Sequence, residues 1–388
     1  MDTEWYVVIT MAFSDEITQW PPEKVRQMIA SATPDAVERA LEREDRTPAD
    51  LAALLSPAAV PRLEDMARMA NRLTRQYFGR TISLYAPIYI SNLCAADCVY
   101  CGFAAKSGIR MRRVTLKDAE IRAECAALAE RGFRHVLLLT GEAPAKVPPR
   151  RIADAARVAA EYFPSVSVEV YAMETPEYAL LEEAGVEGVT LYQETYDPQT
   201  YRQVHLSGKK MDYAWRLDAL ERAGRAGIRR LTIGALLGLY DWACEGFWMG
   251  LHGRYLQRTC WRSALFVSFP RLRHTPNRFR PPALVTDAQL VQLILAMRLF
   301  LPQAGFNLST REPAWLRDRL VTLGITSMSA GSSTRPGGYA SRGEEVLEQF
   351  EIEDTRGPDE VVAMIRRAGL DPVWKDYDHA FYRETGTV

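Results

Sequence analysis

Three cysteines, Cys94, Cys98 and Cys101, stand within eight residues in the spacing C-x3-C-x2-C. Thiolates this crowded do not suit a disulfide ladder. They suit a soft metal or an iron–sulfur cluster in which each sulfur takes one iron. A four-iron cube needs four ligands, and no fourth cysteine is near. One iron would then lack a protein ligand and stay open to chemistry. The same residues also read as a structural zinc knot or as three unrelated thiols. Zinc would ask for a fourth Cys or His close by, and the nearest histidine is His135. The remaining cysteines, Cys125, Cys244 and Cys260, lie in helical or apolar contexts and read as buried structural thiols.

With the aromatic Tyr100 just before the last cysteine, this spacing resembles the radical S-adenosylmethionine (SAM) enzymes. That resemblance implies a [4Fe–4S] cluster on Cys94, Cys98 and Cys101. Its open iron is chelated by the amino and carboxylate groups of the methionine part of SAM. Reduction then yields a 5′-deoxyadenosyl radical that abstracts hydrogen. Further stretches narrow the resemblance: Tyr85 to Phe103, Thr140-Gly141-Glu142, Tyr192-Gln193-Glu194-Thr195-Tyr196, Trp215-Arg216-Leu217, Ser268 to Arg273, and Ser309-Thr310-Arg311-Glu312-Pro313. They are similar to the aromatic amino acid lyases, and among these to the tyrosine lyases of thiamine biosynthesis. The similarity runs from Ala40 to Asp378. It implies radical cleavage of the Cα–Cβ bond of L-tyrosine to 2-iminoacetate and p-cresol. It also implies a complex with thiazole synthase and a flavodoxin- or ferredoxin-type reductant. A lyase for another aromatic amino acid, such as tryptophan, and a non-catalytic metal-binding protein are the alternatives. A hydrogenase-maturation lyase would need a second cluster on a cysteine-bearing extension, and no cysteine follows Cys260.

The resemblance assigns roles residue by residue. Gly141, which lets a backbone come close, and Glu142 belong to the element that holds the methionine amino group; the first glycine of that element is Thr140 here. Glu194 matches a position that contacts the ribose hydroxyls, a task suited to charge-assisted bonds. Arg216 matches the arginine that pairs with the methionine carboxylate, and a surface arginine is the alternative reading. Tyr100 completes the cofactor set. Arg311, at a strand end, can clamp an amino-acid carboxylate through two parallel bonds. Tyr89 and Ser329 match two further substrate-contacting positions. Arg271 and Arg273 also follow a strand, but ion-pair roles fit them as well.

These residues need a scaffold that gathers strand ends. From Ser83 on, short apolar runs alternate with helical patterns. The runs are Leu84–Ile90, His135–Thr140, Val166–Tyr171, Gly188–Tyr192, Arg230–Ala235, Leu265–Ser268, Asn307–Ser309 and Thr326–Met328. Apolar strands alternating with helices mean a parallel sheet with helical crossovers. Eight units predict an α/β fold of the closed (β/α)8 TIM-barrel type; an open doubly wound sheet is the alternative. In such a barrel the active site lies at the C-terminal strand ends, where the singled-out motifs fall. Residues 1–80 read as an N-terminal helical extension, with Thr47-Pro48-Ala49-Asp50 as a cap. Residues 81–330 read as the barrel. Residues 331–388 read as an irregular segment covering its mouth, with a turn at Gly337-Gly338.

Composition bounds the rest. The chain has 388 residues, 47% hydrophobic, with a formal net charge of −1. Near-neutral charge favours neither nucleic acid nor membrane surfaces. No uncharged run reaches the roughly 18 residues of a spanning helix. The patch Trp5–Ile9 follows acidic residues and lacks a basic flank, so it does not read as a signal peptide. Six cysteines, three of them clustered, point to a reducing cytoplasm.

Overall fold

The computed structural model describes residues 11–106, 108, 109, 111–272, 279–340 and 348–375. The patch Trp5–Ile9 and Arg273 lie outside these residues. The N-terminal part is helical, and prolines start its second, third and fourth helices. Its helices are α1 (Phe13–Glu16), α2 (Pro22–Ala30), α3 (Pro34–Glu42), α4 (Pro48–Leu54) and α5 (Leu63–Phe78). At α4 the expected cap forms as a reciprocal pair: Thr47 N–H donates to Asp50 Oδ2 at 2.7 Å, and Asp50 N–H to Thr47 Oγ1 at 3.3 Å.

The barrel strands are β1 (Thr81–Ser91), β2 (His135–Thr140), β3 (Ser165–Glu169), β4 (Gly188–Thr190), β5 (Arg230–Gly234), β6 (Ala264–Ser268), β7 (Gly305–Leu308) and β8 (Ser327–Ser329). All pair in parallel in chain order, and β1 pairs with both β2 and β8, which closes the barrel. The helices outside it are α6 (Asp118–Glu130), α7 (Pro149–Ala160), α8 (Thr175–Glu183), α9 (Pro198–Val204), α10 (Tyr213–Leu217), α11 (Ala219–Arg225), α12 (Trp242–Thr259), α13 (Asp287–Phe300) and α14 (Ala314–Leu320). The N-terminal helices pack on two of them, α2 and α4 on α12, and α4 and α5 on α13. Their apolar stripes thus share one core with the barrel, in which Val37, Leu51, Leu54, Met66 and Ala70 are buried.

Two features differ from the sequence expectation. The sequence pattern over Asp212–Ala226 predicts one helix, and in the structure it is broken between α10 and α11 at Asp218. The Asp218 carboxylate accepts from Ser14 N–H at 2.9 Å and Ser14 Oγ at 2.6 Å, a tertiary tie that local periodicity does not carry. The segment after Gly331, read as irregular, contains α15 (Pro358–Arg367) and a further strand β9 (Asp371–Val373). β9 pairs in parallel with Thr81–Ser83, at the end of β1 away from the cysteines. The turn at Gly337-Gly338 is present, with Gly337 at φ 75°.

Candidate active site

Two cavities open at the C-terminal end of the strands. One is lined by Cys94, Cys98, Cys101, Gly141, Glu142, Glu194, Lys210 and Arg216. The other is lined by Tyr85, Tyr192, Asn307, Arg311, Ser329 and Phe350. They share Tyr89, Leu139 and Glu169 as a common wall. The sequence-derived candidates therefore come together, except that Tyr100 lines neither cavity.

The cysteine loop leaves β1 at a register shift between Tyr89 and Ser91, a local bulge that re-aims the chain. It is then tied down from behind. Asn92 Oδ1 accepts from Val114 N–H at 2.7 Å, and Asn92 Nδ2 donates to Arg112 O at 2.9 Å. Arg113 donates to the carbonyls of Asn92, Phe103 and Ala104 at 2.7, 2.8 and 3.0 Å. Sequence reasoning missed both residues, because polar side chains serving loop carbonyls carry no spacing signal. Gly141 fits this loop closely: a Cβ there would lie 2.3 Å from Leu93 O and 3.0 Å from Cys94 Cβ. The structure thus gives glycine at 141 a reason nearer than a ligand. Tyr100 packs with Val204, Leu236, Leu239 and Leu272 behind Cys98. Its hydroxyl is 2.8 Å from His205 Nε2, while His205 Nδ1 lies 2.9 Å from Tyr201 O. A carbonyl can only accept, so Nδ1 carries the proton and Tyr100 donates to Nε2.

The donor set fits an iron–sulfur cluster. Among the described residues, no three His, Cys, Asp or Glu side chains converge as a single ion would need. In a cube each cysteine takes a different iron, so the sulfurs stand apart. Burial pushes up all three thiols, Cys98 to about 11. Thiolates there ask for a cationic partner, which iron supplies.

Across the cavity, Glu194 has φ 74°, the one positive φ among described residues other than glycine. Such strain persists where surrounding structure imposes it. Here Glu245 on α12 accepts from Thr195 Oγ1 and, at 2.9 Å, from Tyr196 N–H. The Glu194 carboxylate meets Lys210 Nζ at 2.7 Å and Arg216 Nη2 at 3.5 Å. Burial would raise its pKa, but Lys210 and Arg216 together hold it below the ordinary value. It therefore stays an acceptor. Arg216 is fixed by Nε donating to Tyr192 O at 2.8 Å, and Glu142 Oε1 accepts from Lys210 N–H at 2.8 Å. Lys210 was missed because a Lys-Lys pair reads as a solvated surface.

In the second cavity Arg311 is half-buried, its guanidinium carbon 3.4 Å from the centre of the Phe350 ring. Ser329 Oγ accepts from Thr310 N–H at 3.1 Å and so steadies the loop that carries Arg311. Tyr89 donates to Gln349 Oε1 at 2.7 Å. Gln349 and Phe350 come from the chain's last part, far in sequence from the residues they touch, so the motifs did not reveal them. Arg271 is engaged elsewhere: Nε donates to Glu312 Oε1 at 2.9 Å, Nη2 meets Asp287 at 2.7 Å, and Nη1 donates to Val285 O at 3.0 Å.

Comparison with known proteins places this geometry. Residues 88–243 match the Radical SAM superfamily, and residues 268–371 match the Biotin and Thiamin Synthesis associated domain. The chain is 47% identical over 370 residues to 2-iminoacetate synthase of Escherichia coli (strain K12), covering 94% of this chain and 97% of that protein. It is 44% identical over 376 residues to the Salmonella typhimurium (strain LT2) enzyme, covering 97% and 99%. The chain belongs to the 2-iminoacetate synthase family. The crystal structure of HydG, a maturase of the [FeFe]-hydrogenase, superposes with a TM-score of 0.86 at 31% identity, covering 94% of this chain and 82% of that one. A 2-iminoacetate synthase is a radical SAM enzyme with a [4Fe–4S] cluster and SAM as cofactors. Among the described residues, no helix is long and apolar enough to cross a membrane.

Proposed function

We propose that this member of the family cleaves the Cα–Cβ bond of L-tyrosine to 2-iminoacetate and p-cresol, supplying the thiazole moiety of thiamine. What carries the reading is the common wall between the Arg311 cavity and the cysteine cavity. An amino acid with its carboxylate on Arg311 presents its amino group at that wall, toward the cofactor.

Cys94, Cys98 and Cys101 hold the cluster. Gly141 and Glu142 shape the place of the methionine amino group, Arg216 receives the methionine carboxylate, and Glu194 accepts from the ribose hydroxyls. Tyr100 acts from behind, fixing the cysteine loop through His205. When bound, the cluster and SAM would supply hydrogen-atom abstraction at the substrate amine, while the protein supplies position and electrostatics. Arg311 binds the substrate carboxylate through its fork, and Phe350 sets the plane of that fork. Ser329 fixes the Arg311 loop, and Tyr89 separates substrate from thiolates. Of the described residues, those from 11 to 80 form the helical extension, those from 81 to 330 the catalytic barrel, and those from 331 to 375 a segment that brings Gln349 and Phe350 to the mouth. Thiazole synthase takes the iminoacetate, a flavodoxin or ferredoxin supplies the electron, and the setting is cytoplasmic.

The test is anaerobic turnover of the reconstituted protein with L-tyrosine, SAM and reductant, with chromatography for p-cresol. p-Cresol from tyrosine, with no cleavage of L-tryptophan, is the expected result. 5′-Deoxyadenosine without p-cresol would overturn the substrate. A companion prediction concerns the metal: replacing Cys94, Cys98 or Cys101 by Ala should abolish the cluster's visible absorbance and iron content. Replacing Cys125, Cys244 or Cys260, all buried away from the cavity, should leave both as in the parent. Full iron in any variant of the first group would refute the ligand set.

A further inference from the structure

Glu169 ends β3, and with Tyr89 and Leu139 it forms the wall common to both cavities. It is the only ionisable carboxyl in that wall. Among the described residues no side chain or amide donates a hydrogen bond to its carboxyl, and no cation lies within ion-pair distance. A half-buried carboxyl left open toward a cavity is costly without a partner. The groups that face it are Arg311 from the substrate side, Glu194, Lys210 and Arg216 from the cofactor side, and the phenols of Tyr85, Tyr89 and Tyr192.

An amino acid is a zwitterion. The substrate cavity offers the matching pair, Arg311 for the carboxylate and Glu169 for the ammonium. The ammonium also poses a chemical problem. Its nitrogen has no lone pair, and removing a hydrogen atom from it would leave a radical cation. A neutral amine gives a neutral nitrogen radical instead.

We infer that Glu169 binds the amino group of the substrate at the junction of the two cavities and takes one proton from it, so that the amine is neutral when its hydrogen atom is removed. The inference rests on the tyrosine-lyase reading above. The step balances simply. One N–H bond breaks and leaves its electron pair on nitrogen. The proton passes to the Glu169 carboxylate and forms an O–H bond. Charges of −1 and +1 become two neutral groups, and nothing is oxidised. Burial pushes the Glu169 carboxyl up to about 7, with Arg311 pulling the other way. A base poised there is ionised near neutral pH and still accepts a proton readily.

The test uses the reconstituted holoenzyme and Glu169→Gln, which keeps the shape and removes the charge. In the resting, oxidised enzyme with SAM, titration calorimetry should show L-tyrosine binding weakened by about tenfold or more, as for loss of one partner of a charged pair. Binding of 3-(4-hydroxyphenyl)propanoate, which lacks the amine, should change less than about twofold, as should that of SAM. In turnover, kcat/KM of the parent for p-cresol formation should fall on the acid side as Glu169 protonates, with an apparent pKa near 7. In Glu169→Gln that limb should move up toward the pKa of the amine itself, because solution must then supply the free amine. Equal weakening of tyrosine and the amine-free analogue would overturn the inference. So would unchanged tyrosine affinity, or a loss confined to SAM. A parent profile flat through pH 7 overturns it with no variant at all. Failure of the parent to make p-cresol strikes the tyrosine reading itself, whereas p-cresol from the parent with an indifferent Glu169→Gln strikes only the role of Glu169.

Discussion

Arg311→Lys should keep 5′-deoxyadenosine forming while p-cresol falls by roughly 100-fold, the scale expected when a reacting group is displaced by about 1 Å. Lysine retains the positive charge, so the substrate carboxylate still finds a partner. What it loses is the planar fork and the stacking on Phe350, whose ring centre lies 3.4 Å from the guanidinium carbon. With a point charge in place of the fork, the substrate can pivot about its carboxylate, and the amine swings off the common wall. Radical formation on the cofactor side continues, but the hydrogen it removes comes from elsewhere. The ratio of the two products in one anaerobic assay is the measurement. A ratio equal to the parent's would remove the clamp role from Arg311. Arg271 could not inherit it without losing Glu312, Asp287 and the Val285 carbonyl, which already occupy its donors.

How much of this was legible beforehand follows from where each signal lives. The eight barrel strands were readable because parallel strands buried on both faces are apolar runs, and each is followed by a helical pattern. The cysteine triplet was readable because its three members stand within eight residues. β9 was not, since it has three residues with a proline at its centre, and it is stabilised by the edge of β1 rather than by its own propensity. Glu169 looked like an ordinary polar residue in the run Val166–Tyr171. Only the closing of the barrel shows that its side chain belongs to two cavities. Gln349 reaches the cysteine loop from 248 residues away, its Nε2 3.9 Å from Cys101 Sγ, a distance no local pattern spans. Glu245 is similar: nothing on α12 announces that its carboxyl holds the strained turn after Glu194. Motifs show which residues do chemistry, while the residues that hold them in place are dispersed by the fold.

Asp354→Asn should be the most destabilising single change outside the strands, costing ~3–5 kcal/mol. Asp354 and Arg317 are both fully buried and paired, and Arg356 adds bonds to Asp354 of 2.9 and 2.8 Å. Removing the charge of Asp354 leaves the Arg317 guanidinium uncompensated in the interior, where burial already lowers its pKa. The loss would reach the active site, because Asp354 N–H donates to Thr310 O at 3.1 Å beside Arg311, and Arg317 donates to Ser329 O. Burial works to raise the pKa of Asp354, but Arg356 and Arg317 hold it below the ordinary carboxylate value. A carboxyl depressed in the folded state stabilises fully at neutral pH. That contribution fades only as acid protonates it below the usual carboxylate range. The denaturation midpoint of Asp354→Asn should therefore converge on the parent's in acid and diverge from it near neutrality. Replacing both partners, as Arg317→Met with Asp354→Leu, should cost less than Asp354→Asn alone, since no buried charge is then orphaned. A single variant within about 1 kcal/mol of the parent, or a double variant as costly as the two singles summed, would mean that this pair does not anchor the C-terminal segment. Phe350 over Arg311 would then be held by its ring contact, by Thr334 Oγ1 donating to its carbonyl at 3.1 Å, by the Tyr89–Gln349 bond and by the backbone bonds to Thr310 and Thr334.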